Sequence, residues 1–112
     1  MSNENVINIT EEKVVSSGYN HKFNKPFEYE GKKFTTLNFD FDKLTGQDMI
    51  SIEEEMAAQS KYVITPEIDS DFMVRLAAKA CGVASDALMA LPLKDFSKIR
   101  TETRNFLINA GY

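Results

Sequence analysis

Apolar residues change their spacing twice along this chain, and each change marks an element. From Phe23 to Phe41 they alternate with polar ones: Phe27 and Tyr29 before the turn signal Glu30-Gly31-Lys32, then Leu37, Phe39 and Phe41 on one face. Period-two alternation on both sides of a glycine turn predicts a β-hairpin over about 23–41. Phe34 is out of phase with the later aromatics, which predicts a bulge or twist near Thr35-Thr36. Pro26 cannot donate to a ladder, so the first strand is an edge or starts late. A lone hairpin is marginal in water, so its aromatic face must pack on something.

From Thr45 onward the spacing becomes helical. Met49, Ile52 and Met56 with Ala57 predict a helix over about 45–60. In "PEIDSDFMVRLAAKACG", Ile68, Phe72, Leu76 and Ala80 recur four apart and predict a helix over about 68–81, with Gly82 as its stop. A short helix over 85–90 follows, with Ser85 as its cap. Pro92 then opens a last helix over 92–110, where Leu93, Phe96, Ile99, Thr103 and Leu107 trace one face. Residues 1–22 are polar, show no sustained period and read as a mobile or loosely docked N-terminal arm. Its Val6, Ile7, Ile9, Val14 and Val15 leave open an extra edge strand that pairs with a neighbour. The expectation is an arm and one α+β domain over 23–112, a β-hairpin followed by a small bundle of about four helices.

Composition narrows the function classes. The 112 residues are 43% hydrophobic and 27% charged, ordinary for one folded domain. A net charge of -4 gives a phosphate backbone no reason to approach, so no nucleic-acid partner is expected. Nor is a membrane: no apolar run approaches the roughly 20 residues that span a bilayer, and "MSNENVINITEEK" is not a secretory signal. The single cysteine, Cys81, excludes an internal disulfide and fits a reducing compartment. Together these predict a cytosolic protein, in which the sequon Asn8-Ile9-Thr10 has no glycosylation role.

The window "FDFDKLTGQDMISIEEE" crowds Asp40, Asp42, Asp48 and Glu53 to Glu55 together. Read as a calcium loop from Asp40, it has Leu44, Thr45 and Ser51 where an oxygen ligand, a glycine and a glutamate are required. Capping explains more. Thr45 can accept the amide of Asp48, and Asp48 adds negative charge at a helix N-terminus, with Asp40 and Asp42 left facing solvent or in a turn. His21 is the only histidine and falls in the arm, a poor base for a metal site or a triad. Cys81, beside Gly82, reads as a buried structural thiol. Neither a catalytic constellation nor a metal or cofactor site stands out. What does stand out is apolar surplus beside the core-facing stripes: Met73 and Val74, Met89, Phe106 and Ile108. Exposed Met and Phe on helices suit the recognition of partner helices, although a core touched on two sides would use them equally well.

The whole pattern resembles the tail assembly chaperones of long-tailed bacteriophages and prophages. It runs from "KPFEYEGKKFTTLNF" through the helix opening "LTGQDMISIEEE" to "ALMALPLKDFSKIRTETRNFLINAG", over roughly residues 22–110. The resemblance implies a small acidic, non-enzymatic α+β protein of the host bacterial cytoplasm, absent from the mature virion and without a cofactor. Its implied partners are the tape measure protein, which it keeps soluble, and the tail tube protein. Many members also occur in a longer, frameshifted form. On this expectation Met73, Met89, Phe106 and Ile108 form the partner-binding surface, and the hairpin's edge strands admit a ring or helical homo-oligomer. The alternatives are a structural tail or connector subunit and a small regulatory DNA-associated protein. Against the latter, "SDALMAL" has no Lys or Arg for a recognition helix.

Overall fold

A computed structural model of the chain describes residues 18–112. The expectations for the arm before Gly18, namely its extra strand and the sequon at Asn8, lie outside the described residues. The architecture is α+β: strands β1 (Tyr19–Tyr29) and β2 (Lys32–Phe39) precede helices α1 (Gly46–Ala58), α2 (Ser70–Cys81), α3 (Ser85–Met89) and α4 (Leu93–Asn109). One-turn 3-10 helices cover Phe41–Lys43 and Pro66–Ile68.

The two strands form an antiparallel hairpin closed by Glu30 and Gly31, both at positive φ (49° and 79°). Positive φ at both central residues is the type I′ turn, whose twist matches that of paired strands. The hairpin begins earlier than expected, at Tyr19, which takes residues 19–22 out of the arm and into β1. The irregularity signalled by Phe34 sits at the expected level, but its extra residues are in the other strand. Between the pairs Lys22↔Thr36 and Phe27↔Phe34, four residues of β1 (Phe23 to Pro26) oppose Thr35 alone. That offset lets Phe34 stack on Phe27, ring centroids 6.4 Å apart, despite its position out of phase.

Helix boundaries follow their caps. Asp69 accepts the Phe72 amide at 2.9 Å, so α2 starts at Ser70 and the expected start at Ile68 is too early. Ile68 instead falls in the Pro66–Ile68 turn and is 68% exposed, not core. Gly82, at φ 77°, ends α2 as expected, with its amide on the Ala78 carbonyl. Ser85 is the first residue of α3, whose N-cap is Ala84, and it makes no capping bond. Pro92 is likewise the N-cap of α4, which leaves Leu93 in the first turn and exposed while Ile99, Thr103 and Leu107 are buried. Thr103 satisfies its hydroxyl by donating to the Ile99 carbonyl at 2.9 Å.

Helix α2 is the central element. Phe72 to Ala78 are all buried, the pattern of a helix covered on every side. One core cluster joins Phe23, Leu37, Phe39 and Phe41 to Val74, Ala77, Ala78 and Ala80 of α2 and to Leu88, Leu91 and Ile99. The alanines let the hairpin approach α2 closely. A second cluster joins Ile52 and Met56 of α1 to Phe72, Met73, Leu76 and Leu107. The unit measures 48 × 30 × 21 Å.

Candidate functional site

The acidic window resolves into a joint. The Asp48 carboxylate accepts the Thr45 backbone N–H at 2.8 Å and lies 3.3 Å from the Thr45 hydroxyl, while the Thr45 side chain faces the Asp48 amide in return, so the two residues form a capping box. Asp42 is exposed, in the 3-10 turn. Asp40 does not simply face solvent: its N–H donates to the Ala80 carbonyl at 3.1 Å, and its Oδ1 is buried with no hydrogen-bond partner among the described residues. Among those residues no group of three or more His, Cys, Asp or Glu is placed to hold a metal ion.

His21 is in β1 and buried, not in a mobile arm. Its Nε2 lies 2.7 Å from Asp95 Oδ1 on α4, and its Nδ1 lies 2.8 Å from the Tyr19 hydroxyl. An Nε2–H donated to the carboxylate and a phenol donated to Nδ1 satisfy all three groups together. Both ring nitrogens are engaged in this arrangement.

Two open clefts flank Tyr19 along α4. One, of about 520 Å³, has Lys22, Lys94 and Lys98 around the His21–Asp95 pair. The other, of about 400 Å³, has Asp42 and Glu102 beside Phe41 and Phe106, whose rings stack at 5.0 Å. Lys98 bridges them, 3.5 Å from Glu102 and 6.0 Å above the Tyr19 ring. Partial burial, then the charges of Glu102 and Asp95, push the Tyr19 phenol above its ordinary range.

A second polar knot ties α1 to α2. Arg75, only 8% exposed, donates Nε to Asp71 at 2.6 Å, one terminal nitrogen to Glu55 at 3.1 Å and the other to Gln59 at 3.0 Å. Lys61 adds a bond to Asp71 at 2.8 Å. Burial pushes the Asp71 carboxyl up, but these bonds from Arg75 and Lys61 outweigh it and hold it below its ordinary range. Cys81 is half-buried. Burial pushes its thiol up to about 11, and its Sγ donates to the Ala78 carbonyl, the surroundings of a structural thiol.

The four surplus apolar residues separate. Met73 is 1% exposed and belongs to the second core cluster, together with Phe72 and Leu76 of α2, so it is not on the surface. Phe106 is half-buried against Phe41. Met89 and Ile108 are exposed, at 43% and 42%, but Met89 follows Leu88 of the first cluster, whereas Ile108 follows Leu107 of the second. Other large apolar side chains are exposed as well. Ile50, Tyr62, Ile64, Ile68, Ile108 and Tyr112 are all exposed, from 42% to 91%. Ile50 adjoins Met49, Ile64 adjoins Val63, and both Met49 and Val63 pack on the cluster. The Pro66–Ile68 turn packs against α4, and the Tyr112 hydroxyl reaches Met49 Sδ at 2.9 Å. The sequence contains one signal for these exposed side chains, a tyrosine and two isoleucines in the segment between two helices, where polar residues are the rule.

Compared with known proteins, the chain matches no family model, no curated protein and no solved structure. No helix among the described residues is long and apolar enough to cross a membrane.

Proposed function

We propose that the protein is a non-enzymatic tail assembly chaperone of a long-tailed phage or prophage, which holds the tape measure protein soluble and helps recruit tail tube subunits. The observation that carries this reading is the exposure of large apolar side chains, Tyr62, Ile64, Ile68 and Ile108 among them. Large exposed apolar side chains on a small domain are the chemistry that takes the apolar stripe of an amphipathic helix. Their contact is shallow and distributed, so an incoming tube subunit can displace it. The sequence resemblance supplies the identity of the partner, and the net charge of -4 supports protein over nucleic acid. The protein then works in the host cytoplasm and leaves before the virion is complete.

Co-expression with the tape measure protein encoded beside it, followed by size-exclusion chromatography with light scattering, tests the reading. The expected result is a soluble complex carrying several copies of this chain, which Ile64→Glu with Ile68→Glu disperses. A tape measure protein that stays insoluble, or a chain found in purified particles, overturns it in favour of a structural subunit.

A further inference from the structure

The chain carries 17 acidic and 13 basic side chains, yet one cleft gathers cations. The cleft of about 520 Å³ between β1 and α4 is lined by Lys22 from the strand and by Lys94 and Lys98 from the helix. All three lysines are exposed. Lys94, Lys98 and Thr101 stand four and three residues apart, so they share one face of α4 and line the cleft as a row. Asn24 and Ser97 add an amide and a hydroxyl. Among the described residues of the lining the one carboxylate is Asp95, and its Oδ1 is already held 2.7 Å from His21 Nε2. That contact ties β1 to α4, so the two walls are held together. Lys98 lies 3.5 Å from Glu102, but a pair open to solvent is worth little, and an incoming carboxylate competes for the ammonium.

We propose that this cleft is a docking site for an acidic segment of a partner protein, bound through its side-chain carboxylates. The arrangement of the cations decides the class of anion. A single phosphate is held by donors that converge on one point, from a run of main-chain N–H groups or the fork of an arginine. Among the described residues of this lining there is no arginine and no glycine, and the lysines are point charges spread along a groove. One turn of α4 separates Lys94 from Lys98, about 6 Å. Alternate residues of an extended chain put carboxylates about 7 Å apart on one side, a matching interval. Lys22 meets the same row from the other wall. A single-stranded nucleic acid has charges at a similar interval but gains its affinity from stacked bases. The one phenol ring of the cleft, Tyr19, has the Lys98 ammonium 6.0 Å above its centroid instead. The side chains assigned to the tape measure protein, Tyr62, Ile64, Ile68 and Ile108, do not line this cleft, so the site is a second contact and stands apart from that reading.

Fluorescence anisotropy of a labelled oligoglutamate peptide, titrated with the full chain at low salt, tests the proposal. The wild type is expected to bind, with an affinity that falls as salt is raised. Lys94→Gln with Lys98→Gln is expected to weaken binding by at least about tenfold. The control pair Lys32→Gln with Lys33→Gln removes the same charge beside the hairpin turn and is expected to change the affinity by less than about twofold. All four lysines are exposed, and circular dichroism checks that each variant is folded. A wild type that does not bind, or equal losses from the two pairs, overturns the proposal. So does a labelled single-stranded oligonucleotide of equal charge that binds more tightly than the peptide, which makes the cleft a site for a phosphate backbone.

Discussion

His21 and Asp95 stand 74 positions apart and meet at 2.7 Å, fastening the first strand to the first turn of the last helix. The pair is rigid because Tyr19 takes the other ring nitrogen and because His21 packs edge-on against Phe23, ring centroids 4.8 Å apart. Removing Asp95 leaves a buried imidazole N–H unsatisfied, so Asp95→Ala is expected to cost about 1–3 kcal/mol in urea unfolding. A double-mutant cycle with His21→Ala should return a coupling of at least about 0.5 kcal/mol. Additive effects would mean that the contact is not formed in solution.

At the start of α1 Thr45 and Asp48 form a capping box, whose shortest bond is the one the Asp48 carboxylate accepts from the Thr45 N–H at 2.8 Å. Asp48→Ala is therefore expected to destabilise by about 1 kcal/mol and Thr45→Ala by less, since Thr45 keeps its backbone N–H for the carboxylate. Chemical denaturation of the two variants checks the order.

Acid should loosen the joint between α1 and α2. The Asp71 carboxyl sits below its ordinary range in the folded state, so its contribution is fully present above the unfolded value of about 3.8 and is lost as pH falls through the folded value. Asp71→Asn is expected to flatten that part of the stability–pH curve below about pH 4 while leaving the curve at higher pH parallel to wild type. Fluorescence-monitored unfolding from pH 2 to 6 distinguishes the two shapes.

Methionine positions that look alike in the sequence should behave differently. Met73→Ala opens a cavity in the second cluster and is expected to cost about 2–5 kcal/mol. Met89→Ala, on an exposed position, is expected to stay within about 0.5 kcal/mol of wild type. Thermal melts of both variants decide it.

Reaction of Cys81 with a thiol reagent at pH 8 should be slow in the folded protein, because burial holds the thiol up to about 11. Unfolding in urea is expected to restore the rate of a free cysteine.

Much of this fold was legible wherever spacing alone decides the outcome. The hairpin around Glu30-Gly31 and the helices with Ile52 and Met56, or with Ile99 and Leu107, follow from the period of their apolar residues. Boundaries are legible only through caps: Asp69 sets the start of α2 at Ser70, whereas the four-residue repeat points two residues earlier, to Ile68. The strand position of His21 could not be read from its neighbours, because its partner is Asp95 on another element. Arg75 was invisible for the same reason. A charged residue inside an apolar stripe is buried only because Asp71, Glu55 and Gln59 converge on it from two helices. The candidate surface was half legible: Ile108 was marked, but Tyr62, Ile64 and Ile68 lie in a segment without a period, where pattern gives no face.

The division of the core around α2 sets an order of disassembly. The hairpin, α3 and α4 hold α2 through one cluster, while α1 holds it through the other, which Leu107 of α4 shares, and through the Arg75 knot. Helix α1 therefore has fewer partners than α2 and is expected to open before it. Amide protons of α1 are then the first to exchange with solvent, those of α2 the last, and the interval between them measures how independently the two halves breathe.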